Sequence, residues 1–406
     1  MKQSTLENAD PHIDIGRISW STHSTFPEEK SFVQQWNHLA ETQVIPGIFV
    51  TYDWIKTWWN HFGADKRLVL LSGTYEKRLV ALAPMMITKK GPFSLQGPRI
   101  MEFIGTGSVP TRGMGLSDRV DFLYAGNCHA ILDEMLDRLY SLNPHFDLLL
   151  IRALSSASPT FEQLKRNSEH YELSFGSVFR SFSPYTEIKG SWESFLSTKS
   201  GKTRRQWRNS RRRLKRTGKY ELSRYPDNGW SFKSTMKAIL TISRHSYKWE
   251  EQNALLQSSA LLNFYTEFYR RISRKGFFKV HFILMGGEPV AYQAGFQYAN
   301  RLFAYDTAYD KSHKDVHPGI HLVTQGIRTA CGKNLVEYDM MRGDEPYKNR
   351  WCSDRREEIH FVAYHRSLKG KITLLLFVRL RELMKKSRRI RSFYEKIAHF
   401  YRGLHF

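Results

Sequence analysis

The chain has 406 residues, 62 Lys+Arg against 39 Asp+Glu for a formal net charge of +23, and is 41% hydrophobic and 14% aromatic. This composition excludes intrinsic disorder and collagen-like architecture, and the length suffices for two or three domains with large cores. Three cysteines, Cys128, Cys331 and Cys352, form no CxxC pair, which excludes a disulfide framework and a thiolate zinc site and suits a reducing compartment.

The first residues are too acidic for a secretory signal. The longest apolar run, Leu374 to Val378, is far short of the ~20 residues that span a bilayer. The chain reads as soluble or peripheral, and as cytoplasmic. Residues 31–63 read as helical, with Phe32, Trp36, Leu39, Trp54, Trp58, Trp59 and Phe62 at helical steps. RLVLLSGTYEKRLVALAPMMI reads as two strands broken at Ser72-Gly73 and Tyr75-Glu76-Lys77. A short strand at 100–104 leads into the glycine-rich GTGSVPTRGMG, followed by a helix at 128–141 and a buried strand from Phe146 to Ile151. The second half repeats the plan. A helical region leads to two strands around Gly286-Gly287-Glu288-Pro289, then strand LFAYDTAYD, helix GIHLVTQGIRTACG and strand LVEYDMM. Two copies of strand–turn–strand–strand–helix–strand indicate an internal duplication.

The positive charge sits in two islands. Residues 199–219 carry eleven Lys/Arg and no acid; residues 366–406 carry twelve with Glu382 and Glu395. The first reads as a helix with Trp207 and Leu214 inward. It is either a solvated basic face or a grip for phosphate, an anionic polysaccharide or lipid, or RNA. The second steps Leu376, Leu380, Leu383, Ser387, Ile390, Tyr394, Ile397, Tyr401 and Leu404 along one stripe. Such a basic amphipathic helix can lie on an anionic membrane surface, or dock its stripe on protein.

From Phe277 to Trp351 the strings GGEPVAYQAGFQ, FAYDTAYD, HPGIHLVTQGI and VEYDMMRGDEPYKNRW follow at short spacings. Together they resemble the CelD-like branch of the GNAT acetyltransferase superfamily, related to the FemAB aminoacyltransferases. The helix with Trp54 and Trp58, the strand at Ala83-Pro84-Met85, and Ser183-Pro184-Tyr185 before Trp192 fit the same resemblance. It covers about residues 30–352 and implies an α/β (α+β) fold. Tandem GNAT-like domains, each a mixed sheet flanked by helices, are expected at 14–180 and 181–365, followed by a basic tail at 366–406. It also implies acyl transfer from acyl-CoA, such as acetyl-CoA, to an amine or hydroxyl of a polysaccharide, amino sugar or other envelope precursor, with no metal.

A pyrophosphate suits a helix N-terminus, and the helix opened by His317, Pro318, Gly319 and Ile320 follows a strand at the position where the GNAT fold binds one. The arginine/glutamine-and-glycine pattern usual for that site is absent, and Fem relatives use aminoacyl-tRNA, so both donors stay open. Acyl transfer also needs a base, an acid and a positioned thioester. Asp339, Tyr309 and Lys348 are the expected catalytic residues, with Asp339 as base or orienter. Asp306, Arg342, Glu345, Tyr347 and Trp351 are expected to bind substrate. The structural alternatives are an Asp339–Arg342 ion pair and core roles for Tyr347 and Trp351. His313, His317 and His321 recur at four-residue steps, but Pro318 interrupts the helix a metal site would need. A Fem-like aminoacyltransferase and a non-catalytic anion- or RNA-binding scaffold are the competing functions, nucleic acid being the less favoured partner.

Overall fold

The alternating apolar runs pair into one continuous sheet in the computed structural model, which describes residues 13–43, 45–89, 99–107, 116–141, 146–366 and 368–375. Its strands are β1 (Ser19–His23), β2 (Arg67–Tyr75), β3 (Arg78–Lys89), β4 (Arg99–Phe103), β5 (Leu123–Tyr124), β6 (Leu148–Ser155) and β7 (Leu173–Glu187) in the first half. The second half contributes β8 (Tyr220–Tyr225), β9 (Phe278–Met285), β10 (Glu288–Tyr298), β11 (Arg301–Tyr309), β12 (Glu337–Asp339) and β13 (Asp354–His365).

Across the sheet the order is β1-β2-β3-β4-β6-β13-β7-β12-β11-β10-β9-β8, with β5 beside β3. From either edge inward, three antiparallel pairings lead to one parallel pair, β4 with β6 or β11 with β12. Parallel neighbours need a crossover, and each has a helix in it, His129–Ser141 in the first half and Pro318–Gly332 in the second. The tandem α/β plan expected from the duplication is thus present.

The centre of the sheet was not visible in the sequence pattern. The last strand of each half is exchanged: β7 pairs with β12 of the second half, and β13 pairs with β6 of the first. These two long strands also pair with each other, Asp354–Tyr185 through His365–Leu173. Position 180 lies inside β7, so the halves meet within a strand and not at a linker. One hydrophobic core spans both: Trp54 of helix Tyr52–Phe62 meets Phe268 of helix Ser259–Arg274 edge-on, ring centroids 4.8 Å apart.

Local details depart from the expectations for physical reasons. The helical stretch 31–63 is two helices, Lys30–Glu41 and Tyr52–Phe62, because Pro46-Gly47 breaks it and the Thr51 hydroxyl caps the second by accepting from the Trp54 amide. The β2–β3 turn lies at Glu76-Lys77, both at positive φ (48° and 64°), while Ser72-Gly73 stays within β2. The first basic island is one helix, Gly201–Arg216, capped by Ser200 as its pattern suggested, with the short helix Trp192–Ser197 just before it. The amphipathic stripe from Leu376 onward lies outside the described residues.

Candidate functional site

A difference between the two halves that bears on a site lies where β11 and β12 part. Their parallel pairing covers only Arg301–Glu337 to Phe303–Asp339. There β12 ends, and Met341 at φ 57° turns the chain away, while β11 continues to Tyr309 with β10 as its partner. At the parting β11 bulges: the register jumps from Ala294–Asp306 to Gly295–Ala304, leaving Tyr305 as the extra residue. A Cβ on Gly295 would collide with the Phe303 carbonyl oxygen, so this register needs glycine. The pairing of β4 with β3 runs to Phe103 without such a shift. Beyond Phe303 the β12-side edge of β11 has no strand partner among the described residues.

The strand leads directly to a helix N-terminus. Asp310 accepts from the Ser312 amide at 2.8 Å, a 3-10 turn covers Lys311–Val316, and His317 at φ 55° precedes Pro318 as the first helical residue. His317 makes no side-chain cap, and a Cβ on Gly319 would meet nothing within 4 Å. Pro318 has no N–H and the Ile320 amide donates to the His317 carbonyl at 3.1 Å, so this terminus offers the Gly319 amide and the helix dipole beside open space. The basic helix Gly201–Arg216 packs here: the Ser210 hydroxyl donates to the Val316 carbonyl at 3.2 Å, and Arg213 donates to the Asp315 carbonyl at 3.3 Å. Ile320 and Trp207 join one apolar cluster with Trp351.

The other arm of the fork is held by buried charge. Asp339, wholly buried, takes a hydrogen bond from the Met341 amide at 2.7 Å and ion-pairs with Arg119 and Arg356. Arg356 and Arg301 both reach Glu337. Arg342 pairs with Asp118 and donates to the Ser117 carbonyl at 3.3 Å. Asp339 and Arg342 are thus each paired, but not with one another. Glu358 accepts from Ser183 at 2.6 Å, and burial, reinforced by Asp118, pushes its carboxyl up to about 6.

The remaining expected residues divide between the two arms. Asp306 and Tyr309 lie on β11 past the fork. The Asp306 carboxylate accepts from Tyr292 at 2.6 Å and Lys248 at 3.4 Å, and burial raises the Tyr309 phenol. Lys348, buried, donates to the Met341 and Arg342 carbonyls at 3.3 and 2.8 Å and pairs with Glu345 at 3.0 Å, so it closes the loop after β12. Tyr347 is half-exposed, and Trp351 is core, stacked with Trp192. His313 and His321 go to different partners, Ser312 and Ser210. Arg119, Asp118, Glu337, Arg356 and Glu358 were not foreseen. They come from a first-half loop, β12 and the exchanged β13, and no short spacing links them.

Residues 201–349, from the basic helix through β12 to helix Pro346–Trp351, match the model of a family described as an acetyltransferase (GNAT) domain. The bulge, the fork and the Gly319 helix terminus all fall within that stretch. No curated protein matches the chain. The crystal structure of FemX has a similar fold, with a TM-score of 0.61 over 88% of this chain and 99% of that one at 10% identity. A conserved protein of unknown function from Bacteroides thetaiotaomicron gives 0.54 over 86% and 100% at 11% identity. Both are likenesses of fold.

Proposed function

We propose that this chain is a GNAT-type acyltransferase of the CelD-like, Fem-related kind. It moves an acyl group such as acetyl from a coenzyme A thioester to an amine or hydroxyl of a polysaccharide, amino sugar or other envelope precursor. The observation that carries the reading is the bulged fork at Tyr305, opening beside an uncapped helix N-terminus inside the stretch that matches the acetyltransferase model. The edge of β11 past the fork, without a strand partner among the described residues, suits the amides of an extended donor arm. The first turn at His317, Gly319 and Ile320 suits its pyrophosphate.

In the transfer the acceptor's nitrogen or oxygen bonds to the acyl carbon as the C–S bond breaks; the acceptor loses a proton and the thiolate gains one. Tyr309, at the end of β11 with its phenol raised by burial, is the candidate acid. Asp339 and Lys348 serve as positioning residues, since their polar atoms already hold Arg119, Arg356 and the loop after β12. Asp306, Arg342, Glu345 and Tyr347 flank the acceptor side. A cytoplasmic protein whose tail touches an anionic membrane accords with an envelope precursor as acceptor.

Calorimetry with acetyl-CoA and longer acyl-CoAs tests the donor. Gly319→Asp adds a carboxylate that favours the helix terminus but repels pyrophosphate. Affinity is expected to fall about tenfold while Tm holds or rises slightly. Absence of binding to every acyl-CoA would sink the reading. The second reading, aminoacyl transfer from tRNA, draws on the FemX fold likeness and the exposed basic helix. Aminoacyl-tRNA turnover without acyl-CoA binding would favour it.

A further inference from the structure

Away from the fork, a groove of about 590 Å³ opens at the sheet edge between the basic helix Gly201–Arg216, strand β8 and the flank of helix Pro318–Gly332. β8 is the outermost strand, three strand steps or about 14 Å from β11, so the groove lies off the fork's strands, although its lining reaches His321, next to Ile320 on the helix. Four cations from three elements line it, Arg211, Arg224, Arg328 and Lys333, and no acid does. Their existing partners are weak. Arg211 lies over the Trp207 ring at 5.8 Å, Arg328 over Trp192 at 5.7 Å, Arg224 reaches the exposed Asp227 only at 3.7 Å, and Lys333 reaches Gln297 at 3.4 Å. The field they create is felt beneath the groove, where His281 is held neutral by burial with Arg224 and Lys333 adding to the effect.

Two further observations narrow the ligand. Trp207 and Tyr220 give the groove aromatic wall, against which a flat ring can stack. Gln325 also lines it at 8% exposure; its amide nitrogen reaches the Ser223 carbonyl at 3.5 Å, while its oxygen has no hydrogen-bond partner. A buried acceptor without a donor costs free energy that a ligand hydroxyl or amine would recover. The volume lies in the range of small-molecule sites, about 300–1,000 Å³.

We infer that this groove binds a nucleoside diphosphate or a similarly small ligand joining phosphates to a planar ring. Its phosphates lie among Arg211, Arg224, Arg328 and Lys333, with a donor group on Gln325. The inference does not rest on the acyl-transfer reading.

Titration calorimetry of the full chain with ADP, UDP, inorganic pyrophosphate and a short single-stranded oligoribonucleotide tests it. One-to-one binding of ADP or UDP is expected, tighter than pyrophosphate and weakened about tenfold or more in the double variant R211A/R328A, whose side chains are exposed and whose Tm is expected to match the parent's. Gln325→Leu is expected to weaken nucleotide binding while leaving pyrophosphate unchanged. Because acyl-CoA itself contains an adenosine diphosphate unit, Gly319→Asp is the separating control: it should spare nucleotide binding, and R211A/R328A should spare acetyl-CoA binding. Four results overturn the inference. They are no binding of either nucleotide, no preference over pyrophosphate, binding of the oligoribonucleotide alone, and nucleotide binding that is lost in Gly319→Asp but kept in R211A/R328A.

Discussion

Gly295 and Asp339 hold the two arms of the fork in different ways. Gly295 permits the close approach of β10 to the bulge, where any side chain would strike the Phe303 carbonyl. Gly295→Ala should therefore shift β11 or unfold it, at a cost of about 3 kcal/mol. Denaturant unfolding measures the cost; a loss under about 1 kcal/mol would mean the bulge relaxes freely. Asp339 is the sole acid within reach of both Arg119 and Arg356 in the described ion pairs. Asp339→Asn leaves the buried Arg119 guanidinium without its described ion-pair partner, while Arg356 keeps Glu337, and a loss of about 3–5 kcal/mol is expected. A variant that unfolds like the parent and turns over fully would remove Asp339 from both the scaffold and the site.

At the scale of elements, the exchanged strands tie the acetyltransferase-like stretch to the rest of the sheet. β13 lies between β6 and β7, and its Glu358 is bonded by Ser183 of β7 while the backbone amide of Ala153 on β6 donates to His360. A chain ending at Trp351 keeps every residue of the matched stretch yet leaves two long strand edges unpaired. It is expected to aggregate or stay unfolded, because exposed central edges template association. Size-exclusion chromatography with circular dichroism reads the outcome, and a monomeric, cooperatively melting product would refute the role given to β13.

For the whole molecule, buried titrating groups set the response to pH. His281, His321 and His360 are buried, with pKa values lowered to about 3, 4 and 4, so the folded state binds fewer protons than the unfolded one between about pH 4 and 6.5. Their contribution is present above that window and is lost as pH falls through it, each by up to about 1.4 kcal/mol per pH unit. Asp121 and Glu358, raised to about 6, act in the opposite sense, favouring the fold below their unfolded values and losing that contribution as pH rises toward 6. Three groups against two leaves stability rising from pH 5 to 7. Urea unfolding at both values checks this, and a flat or falling profile would contradict it.

Much of the molecule was legible in the chain itself. The repeated strand and helix pattern was carried by local alternation and by turn residues such as Gly286-Gly287. The segment from Asp306 to Trp351 stood out as a candidate site because its residues lie close in sequence. The helix terminus at Gly319 could be read because proline and glycine set backbone geometry wherever they stand. Long-range pairing could not be read this way. The exchange of β7 and β13, the partners of Asp339 on a first-half loop and a C-terminal strand, and the bulge opposite Gly295 depend on residues that meet only after the sheet has closed. Nor did the basic run 199–219 reveal that part of its charge would meet Arg224, Arg328 and Lys333 around a groove. Sequence fixes the chemistry and periodicity of each segment, but ion pairs and strand neighbours are chosen by burial and register across the whole sheet.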